Sequence, residues 1–421
     1  GIDFTQYFKN RLYYIDVKGM LSSLHGSAGA ITALQNSVAH YYQRASSADY
    51  LGVDPTRRSL TGTGGYVKVG RKGNAKWNFS ETFTWSSPGF DLNDMGYMKE
   101  TDYLMNETEI MYRQTDIWKI FRYNAFTLSQ KNMWNYGGTP FSNNASLRWQ
   151  SMTMNRYEWD VKETFAWNWL DSRLLRGGPD VRFGSYFLTS AKFNTDKAKR
   201  MMFMLKYEGD HNFEGNRFNT ISPSLTFRLG NHVYLSGQLH YAWNTDEMQY
   251  VATTSPLSSS SLAPYYYVMG HMDQKTYGLT LKLQVNVTPD ISIQFYGAPF
   301  TSIAKYDDFK LAADTKSHTF ENRFQRIDPD QLTYADGVYT IGEGAGQMPF
   351  RNPDFRFNEF RSNLVARWEY LPGSTLYFVW EHRMSNRDNW YSSGWGSNLD
   401  RMWGLPATNT FMIKMNYWFN L

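Results

Sequence analysis

Residues 277–287 read Tyr-Gly-Leu-Thr-Leu-Lys-Leu-Gln-Val-Asn-Val. Tyr277, Leu279, Leu281, Leu283, Val285 and Val287 alternate without a break with Gly278, Thr280, Lys282, Gln284 and Asn286. A strict period of two marks a β-strand with one apolar and one polar face, because successive side chains point to opposite sides of the backbone. The same rhythm runs through Val233 to Trp243, Tyr157 to Trp167 and Phe411 to Leu421. Further segments follow near 31–44, 59–70, 75–85, 101–113, 181–191, 200–208, 216–228, 291–302, 357–370 and 375–382. Weaker alternation falls near 117–128 and 143–153, and one short strand fits before Lys9. About 16 to 18 strands result.

Composition narrows the class of protein. The 421 residues hold 15 Trp, 30 Tyr and 28 Phe, only 19% are charged, and there is no cysteine. Mean hydropathy is nevertheless negative. No run approaches the roughly 18 consecutive apolar residues that a membrane-crossing helix needs. The lack of cysteine removes disulfides, thiolate metal sites and a Cys nucleophile. A net charge of +4 without a Lys/Arg run gives no reason to expect nucleic acid.

Strand length then separates two all-β architectures. The alternating segments run to about 10–14 residues, against about 5–6 for strands of ordinary globular proteins and about 9–11 for a tilted strand crossing a bilayer. Aromatics gather at segment ends, as in Trp77 with Trp85, Trp159 with Trp167 and Tyr241 with Trp243. Membrane barrels place their interfacial girdles there. Short turns such as 71–74, 230–231, 288–290 and 371–374 alternate with long links at 45–58, 86–100, 129–142, 253–262, 303–354 and 385–408. The expectation is an antiparallel transmembrane β-barrel with long extracellular loops and short periplasmic turns. Only a closed barrel satisfies every backbone N–H and C=O in lipid without helices.

Three stretches carry a resemblance: SVAHYYQR at 37–44, PGFDLNDMGY at 88–97, and NPDFRFNEFRSNLVARWEYLPGSTLYFVW at 352–380, which leads into the terminal FMIKMNYWFNL. Together they resemble the C-terminal β-barrel region of a Bacteroidetes outer-membrane family of uncharacterised function. Members of that family carry an N-terminal domain resembling carbohydrate-binding module family nine. The resemblance implies that residues 1–421 form one outer-membrane β-barrel region, the C-terminal part of a longer protein, in the cell envelope of a Gram-negative bacterium.

Candidate functional residues are few. Tyr417, Phe419 and Leu421, alternate and apolar at the end of the last strand, fit an assembly signal that pairs by β-augmentation with the barrel-insertion machinery. Asp91, Asn93 and Asp94 supply oxygen ligands of the kind calcium takes, without a completed loop motif. The eight histidines form no ligand spacing, and no local motif selects a catalytic trio, so no catalytic residue, resident metal or cofactor is expected. Trp134, Tyr136, Trp390, Tyr391, Trp395 and Trp403 are loop aromatics suited to stacking on sugars. The leading expectation is a non-enzymatic barrel that handles or admits glycans, or scaffolds other outer-membrane or surface subunits. A passive diffusion pore and an outer-membrane hydrolase are the alternatives. Outer-membrane lipid, the insertion machinery, glycans and neighbouring subunits are the expected partners.

Overall fold

A computed structural model describes residues 1–44, 50–93, 96–230, 232–257, 265–389 and 395–419. The chain opens with β1 (Ile2–Phe8), β2 (Tyr13–His25) and α1 (Ala28–Gln35). Long strands follow as β3 (Ser59–Arg71), β4 (Trp77–Ser86), β5 (Tyr103–Gln114), β6 (Phe121–Trp134), β7 (Pro140–Thr153) and β8 (Glu158–Trp167). A small hairpin, β9 (Trp169–Asp171) and β10 (Val181–Phe183), precedes β11 (Tyr186–Asn194), β12 (Met201–Asn212), β13 (Arg217–Leu229) and β14 (Val233–Thr254). The longest strands continue as β15 (Tyr266–Asn286) and β16 (Ile291–Ala312). After them come the short β17 (Phe324–Arg326), β18 (Leu332–Ala335), β19 (Val338–Ile341) and β20 (Met348–Arg351). The chain ends with β21 (Phe355–Leu371), β22 (Ser374–Asp388), α2 (Trp395–Trp403) and β23 (Ala407–Asn416).

Eighteen strands join one antiparallel sheet. All but β17, which only extends the far end of β16, follow one another as a meander from β1 to β23. The expected 16 to 18 strands are therefore present, and the two weakly alternating segments are strands β6 and β7. The sheet is not closed: no pairing joins β1 to β23 among the described residues. Closure into a complete barrel, expected above, is thus not found within this chain. Both edge strands run from the long-link end to the short-turn end, because seventeen alternating strands leave the first and last parallel. Antiparallel closure would need an odd number of strands beyond these.

Register carries a single apolar face around the whole sheet. Phe4 stands beside Val17, Val17 beside Val67, and Val67 beside Phe83. Near the other edge, Phe295 joins Leu283 to Leu364, and the row continues to Trp380 and Phe411. Among the described residues no second layer packs on the middle of this face: Leu239, Leu281 and Phe378 remain 53%, 39% and 40% exposed. Carboxylates on this face are held by neighbouring hydroxyls, as where Thr245 donates to Asp273 at 2.8 Å. Thr108 donates to Glu81 at 2.6 Å and Thr189 to Glu163 at 2.7 Å. On the polar face Arg367 pairs with Glu369 at 2.6 Å, as their shared position in the alternation suggests.

The two ends of the sheet differ. One carries only tight connections at 9–12, 72–76, 115–120, 154–157, 195–200, 230–232, 287–290 and 372–373. In the last of these, Gly373 adopts φ +78, which a side chain would strain. The other end gathers the long links 26–58, 87–102, 168–185, 255–265, 313–354 and 389–406. Two expectations fail here. The stretch 129–142 is no long link, because β6 runs on to Trp134 and β7 resumes at Pro140. Residues 31–44 are no strand: Ser27 caps α1 by accepting the Ala30 N–H at 3.2 Å, and Ile31, Gln35 and Tyr42 turn inward.

Buried side chains concentrate in these links. Leu175, Val181, Met248, Met269 and Phe324 form one cluster, and Val268, Phe309, Leu311, Ile341 and Phe350 another. A third holds Ile31, Tyr42 and Leu60. The first joins the 168–185 link, which springs from β8 and β11, to β14, β15 and β17. The long links therefore knit into a cap.

Candidate functional site

The cap is fastened by buried charge pairs. Arg323, 1% exposed, donates from both guanidinium ends to Glu214, at 2.9 and 2.7 Å. It also donates to the carbonyls of Arg182 at 2.7 Å and Ser317 at 2.8 Å. Arg182 in turn donates its N–H to the Thr315 carbonyl at 2.9 Å, so the 168–185 and 313–326 segments act as one piece. Arg44 pairs with Asp102, whose carboxylate also accepts the Tyr50 hydroxyl and the Tyr136 N–H. Burial pushes the Asp102 carboxyl up, against the pull of Tyr50 and Arg44. His40 accepts or donates to Ser37 at 3.1 Å and lies 3.9 Å from Asp91. Its burial pushes the imidazole pKa down, with the Asp91 carboxylate opposing. Arg173 reaches Glu100 at 3.2 Å and ties the 87–102 link to 168–185.

Between this cap and the polar face of the wall runs a groove of two lobes. Trp169 and Tyr186 line both, with ring centroids 4.9 Å apart. The first lobe, about 300 Å³, adds Phe183, Phe218, Asp210, Asp246, Asn212, Asn216 and Asn244. The second, about 580 Å³, adds Lys99, Lys131, Arg173, Arg176, Glu100, Asp171, Gln249 and Tyr250. One lobe is acidic and amide-rich, the other is basic, and an aromatic wall divides them.

Local rules of the chain set this geometry. The Asp171 carboxylate accepts the N–H groups of Arg173 at 2.7 Å and Leu174 at 2.9 Å, an Asx turn that reverses the link after β9. Gly178 must lack a side chain, since a Cβ there would meet the Tyr267 ring at 2.6 Å and Leu175 at 2.8 Å. Arg176 then lies over the Tyr250 ring at 4.5 Å. In the acidic lobe, Asn212 accepts the N–H groups of Glu214 and Asn216, both at 2.9 Å. Asn216 accepts that of Glu247 at 2.7 Å, and Asp246 that of Met248 at 2.9 Å. This last contact sits where a register shift bends β14.

The residues singled out in the sequence are scattered. Tyr136 and Trp134 flank the β6–β7 turn, Trp134 on the apolar-face parity beside Leu104. Trp403 stacks on Phe360 at 4.8 Å, which places α2 over the apolar face at the long-link end of β21 and β22. Trp395 begins α2, and Trp390 and Tyr391 lie outside the described residues. Of the aromatics around the groove, Phe183 and Tyr186 fall in the alternating segment expected near 181–191, with Tyr186 opening β11, whereas Trp169 stands in β9, which alternation alone does not expose. The usable signal was the Arg-Gly-Gly-Pro-Asp run at 176–180, a turn marker inside an aromatic stretch. Asp91 is committed to local contacts: its N–H donates to Ser22 at 2.9 Å and its carboxylate accepts the Asn93 N–H at 2.8 Å. Asp94 lies outside the described residues, and among those described no group of three His, Asp or Glu is placed to hold a metal ion. Tyr417 and Phe419 follow β23 fully in the open, rings 6.1 Å apart, while Leu421 lies outside the described residues.

The sequence profile of the family described as domain of unknown function (DUF5916) matches residues 26–421. The chain belongs to that family. Comparison with curated proteins gives no match. Among solved structures, the siderophore receptor PirA from Acinetobacter baumannii aligns with a TM-score of 0.38 and 9% identity. That alignment covers 98% of this chain and 69% of the receptor. A likeness so slight carries no argument about this DUF5916 chain.

Proposed function

We propose that this DUF5916 chain is the wall of an integral outer-membrane β-barrel of a Gram-negative bacterium, and that it handles glycans without catalysing a reaction on them. One observation carries the membrane assignment. An apolar face runs through seventeen strands with no second layer packed on its middle among the described residues, and Leu239, Leu281 and Phe378 stay exposed there. In water such a surface would far exceed the few hundred Å² that a monomeric protein usually leaves open. In a bilayer it is the lipid-facing band, flanked by ring pairs such as Trp77 with Tyr112 at 4.9 Å and Tyr241 with Tyr277 at 5.0 Å. The tight turns then face the periplasm and the cap faces outward. The open edges fit a barrel whose wall includes further strands, in keeping with the resemblance to the C-terminal region of a longer Bacteroidetes protein with a carbohydrate-binding-like domain.

Glycan handling rests on the groove, where aromatic rings stand beside carboxylates and amides. Rings cover the C–H faces of sugars while the oxygen-bearing groups take their hydroxyls. Calorimetry of the full-length protein in detergent, against a panel of neutral and acidic oligosaccharides, tests it. Saturable binding that weakens about tenfold in Trp169→Ala is expected; no binding across the panel would refute the assignment. A passive pore is the second reading, favoured by the exposed Lys282 and Gln284 on the polar face below the cap. The cap that crosses that face argues for restricted passage, and single-channel recording in planar bilayers separates the two.

A further inference from the structure

The two lobes carry opposite charge, and this asymmetry specifies a ligand more closely than a stacking platform does. In the basic lobe Arg173 is paired with Glu100, and Asp171 spends an oxygen on two backbone N–H groups. Lys99, Lys131 and Arg176 have no ion-pair partner among the described residues, although Glu107 stands opposite Lys131 in register. Three cations outside any ion pair among the described residues thus line one cavity. Across Trp169 and Tyr186, the acidic lobe offers Asp210, Asp246 and Asn244 but no lysine or arginine.

We infer that the groove binds an anionic glycan in a fixed direction. Its acid-bearing sugar sits among Lys99, Lys131 and Arg176, and the adjoining neutral sugar lies along Trp169 and Tyr186 toward Asp210 and Asp246. The inference rests on the glycan reading above and adds the substrate class and polarity. Carboxylate or sulfate groups accept charge-assisted hydrogen bonds from the three cations. The neutral sugar's hydroxyls donate to the two carboxylates, which would repel a second acidic unit. A uniformly neutral chain leaves the cations unused, and a densely charged chain meets the carboxylates. The favoured ligand therefore alternates or ends in a single acidic unit.

The test uses calorimetry of the full-length protein with three probes of equal length: a neutral galactose trisaccharide, the same trisaccharide with its terminal galactose replaced by galacturonate, and the same trisaccharide with one sulfate on its terminal galactose. At least one anionic probe should bind about tenfold more tightly than the neutral one at low salt, an advantage that shrinks at high salt by screening. Which anionic probe wins identifies the acid group. The combined Lys99→Gln, Lys131→Gln and Arg176→Gln variant should lose this preference while keeping the neutral affinity, which also shows that the groove is still folded. Trp169→Ala should weaken all three. Equal affinity for all probes, or an anionic preference that survives the triple variant, overturns the inference and leaves glycan handling intact. Failure of every probe to bind overturns the inference together with the glycan reading.

Discussion

The wall and the cap of this chain obey opposite rules. Along the middle of β14, β15 and β22 the apolar side chains are the exposed ones, and Leu239, Leu281 and Phe378 are 53%, 39% and 40% exposed with no second layer over them among the described residues. In the links and the strand ends beside them, charged groups are the buried ones: Arg323, just before β17, and Arg356 and Lys310, at the long-link ends of β21 and β16, are 1%, 1% and 2% exposed. Each is answered by a carboxylate, Arg323 by Glu214, Arg356 by Asp388, and Lys310 by Asp308 at 3.2 Å with the Phe320 and Phe324 rings nearby. The contrast teaches that the wall draws its stability from a surrounding medium and from its hydrogen-bond ladder, whereas the cap is held by specific side-chain geometry. Mutations should therefore act by different mechanisms in the two regions.

The largest effect is expected in the cap. Arg323→Ala strands the Glu214 carboxylate, a loss of about 3–5 kcal/mol when one partner of a buried pair is removed. Urea unfolding monitored by limited proteolysis of the 168–185 and 313–326 links reads it. The double change Arg323→Met with Glu214→Leu should recover most of that loss. Next comes the wall. Leu281→Arg in lipid vesicles should cost about 2–4 kcal/mol near mid-membrane. Lys282→Leu, one residue away on the polar face, should stay within about 0.5 kcal/mol. Equal costs at the two positions would erase the distinction between faces. Trp169→Ala should reduce glycan affinity about tenfold, or about 1.4 kcal/mol, with no change in wall stability. The smallest effect concerns pH. Because the folded pKa of His40 is depressed, the unfolded link takes up a proton first on acidification. The His40 contribution is complete above about pH 6.5 and fades as the pH falls below it. Hydrogen-exchange protection factors at 36–44, corrected for the intrinsic pH dependence of exchange, should fall in that window, and His40→Gln should remove the fall.

Legibility in the sequence follows the same division. Strands such as 277–287 are readable because two faces with different surroundings impose a strict alternation that needs no knowledge of distant residues. The 129–142 stretch was misread because Gln130, Asn132 and Asn143 place polar groups on apolar-face positions. That breaks the rhythm without breaking the strand. Residues 31–44 misled in the opposite way: Ile31 and Gln35 follow a helical spacing started by the Ser27 cap, which a period of two overlooked. The groove was out of reach for a deeper reason. Its framework depends on contacts such as Arg323 with Glu214 and Arg182 with Thr315, more than a hundred positions apart, and local pattern carries no record of them. The loop aromatics were visible as a class, but which of them converge is a property of the cap.

Because the chain contains no cysteine, single cysteines can be introduced one at a time from 279 to 285 and spin-labelled without background. Paramagnetic accessibility to oxygen and to a water-soluble nickel complex, measured in reconstituted bilayers, then reports the medium at each position. Labels at 279, 281, 283 and 285 should collide chiefly with oxygen, and those at 280, 282 and 284 chiefly with nickel. A reversed pattern, or uniform nickel access at all seven positions, would mean that this face meets water, and the membrane assignment would be wrong.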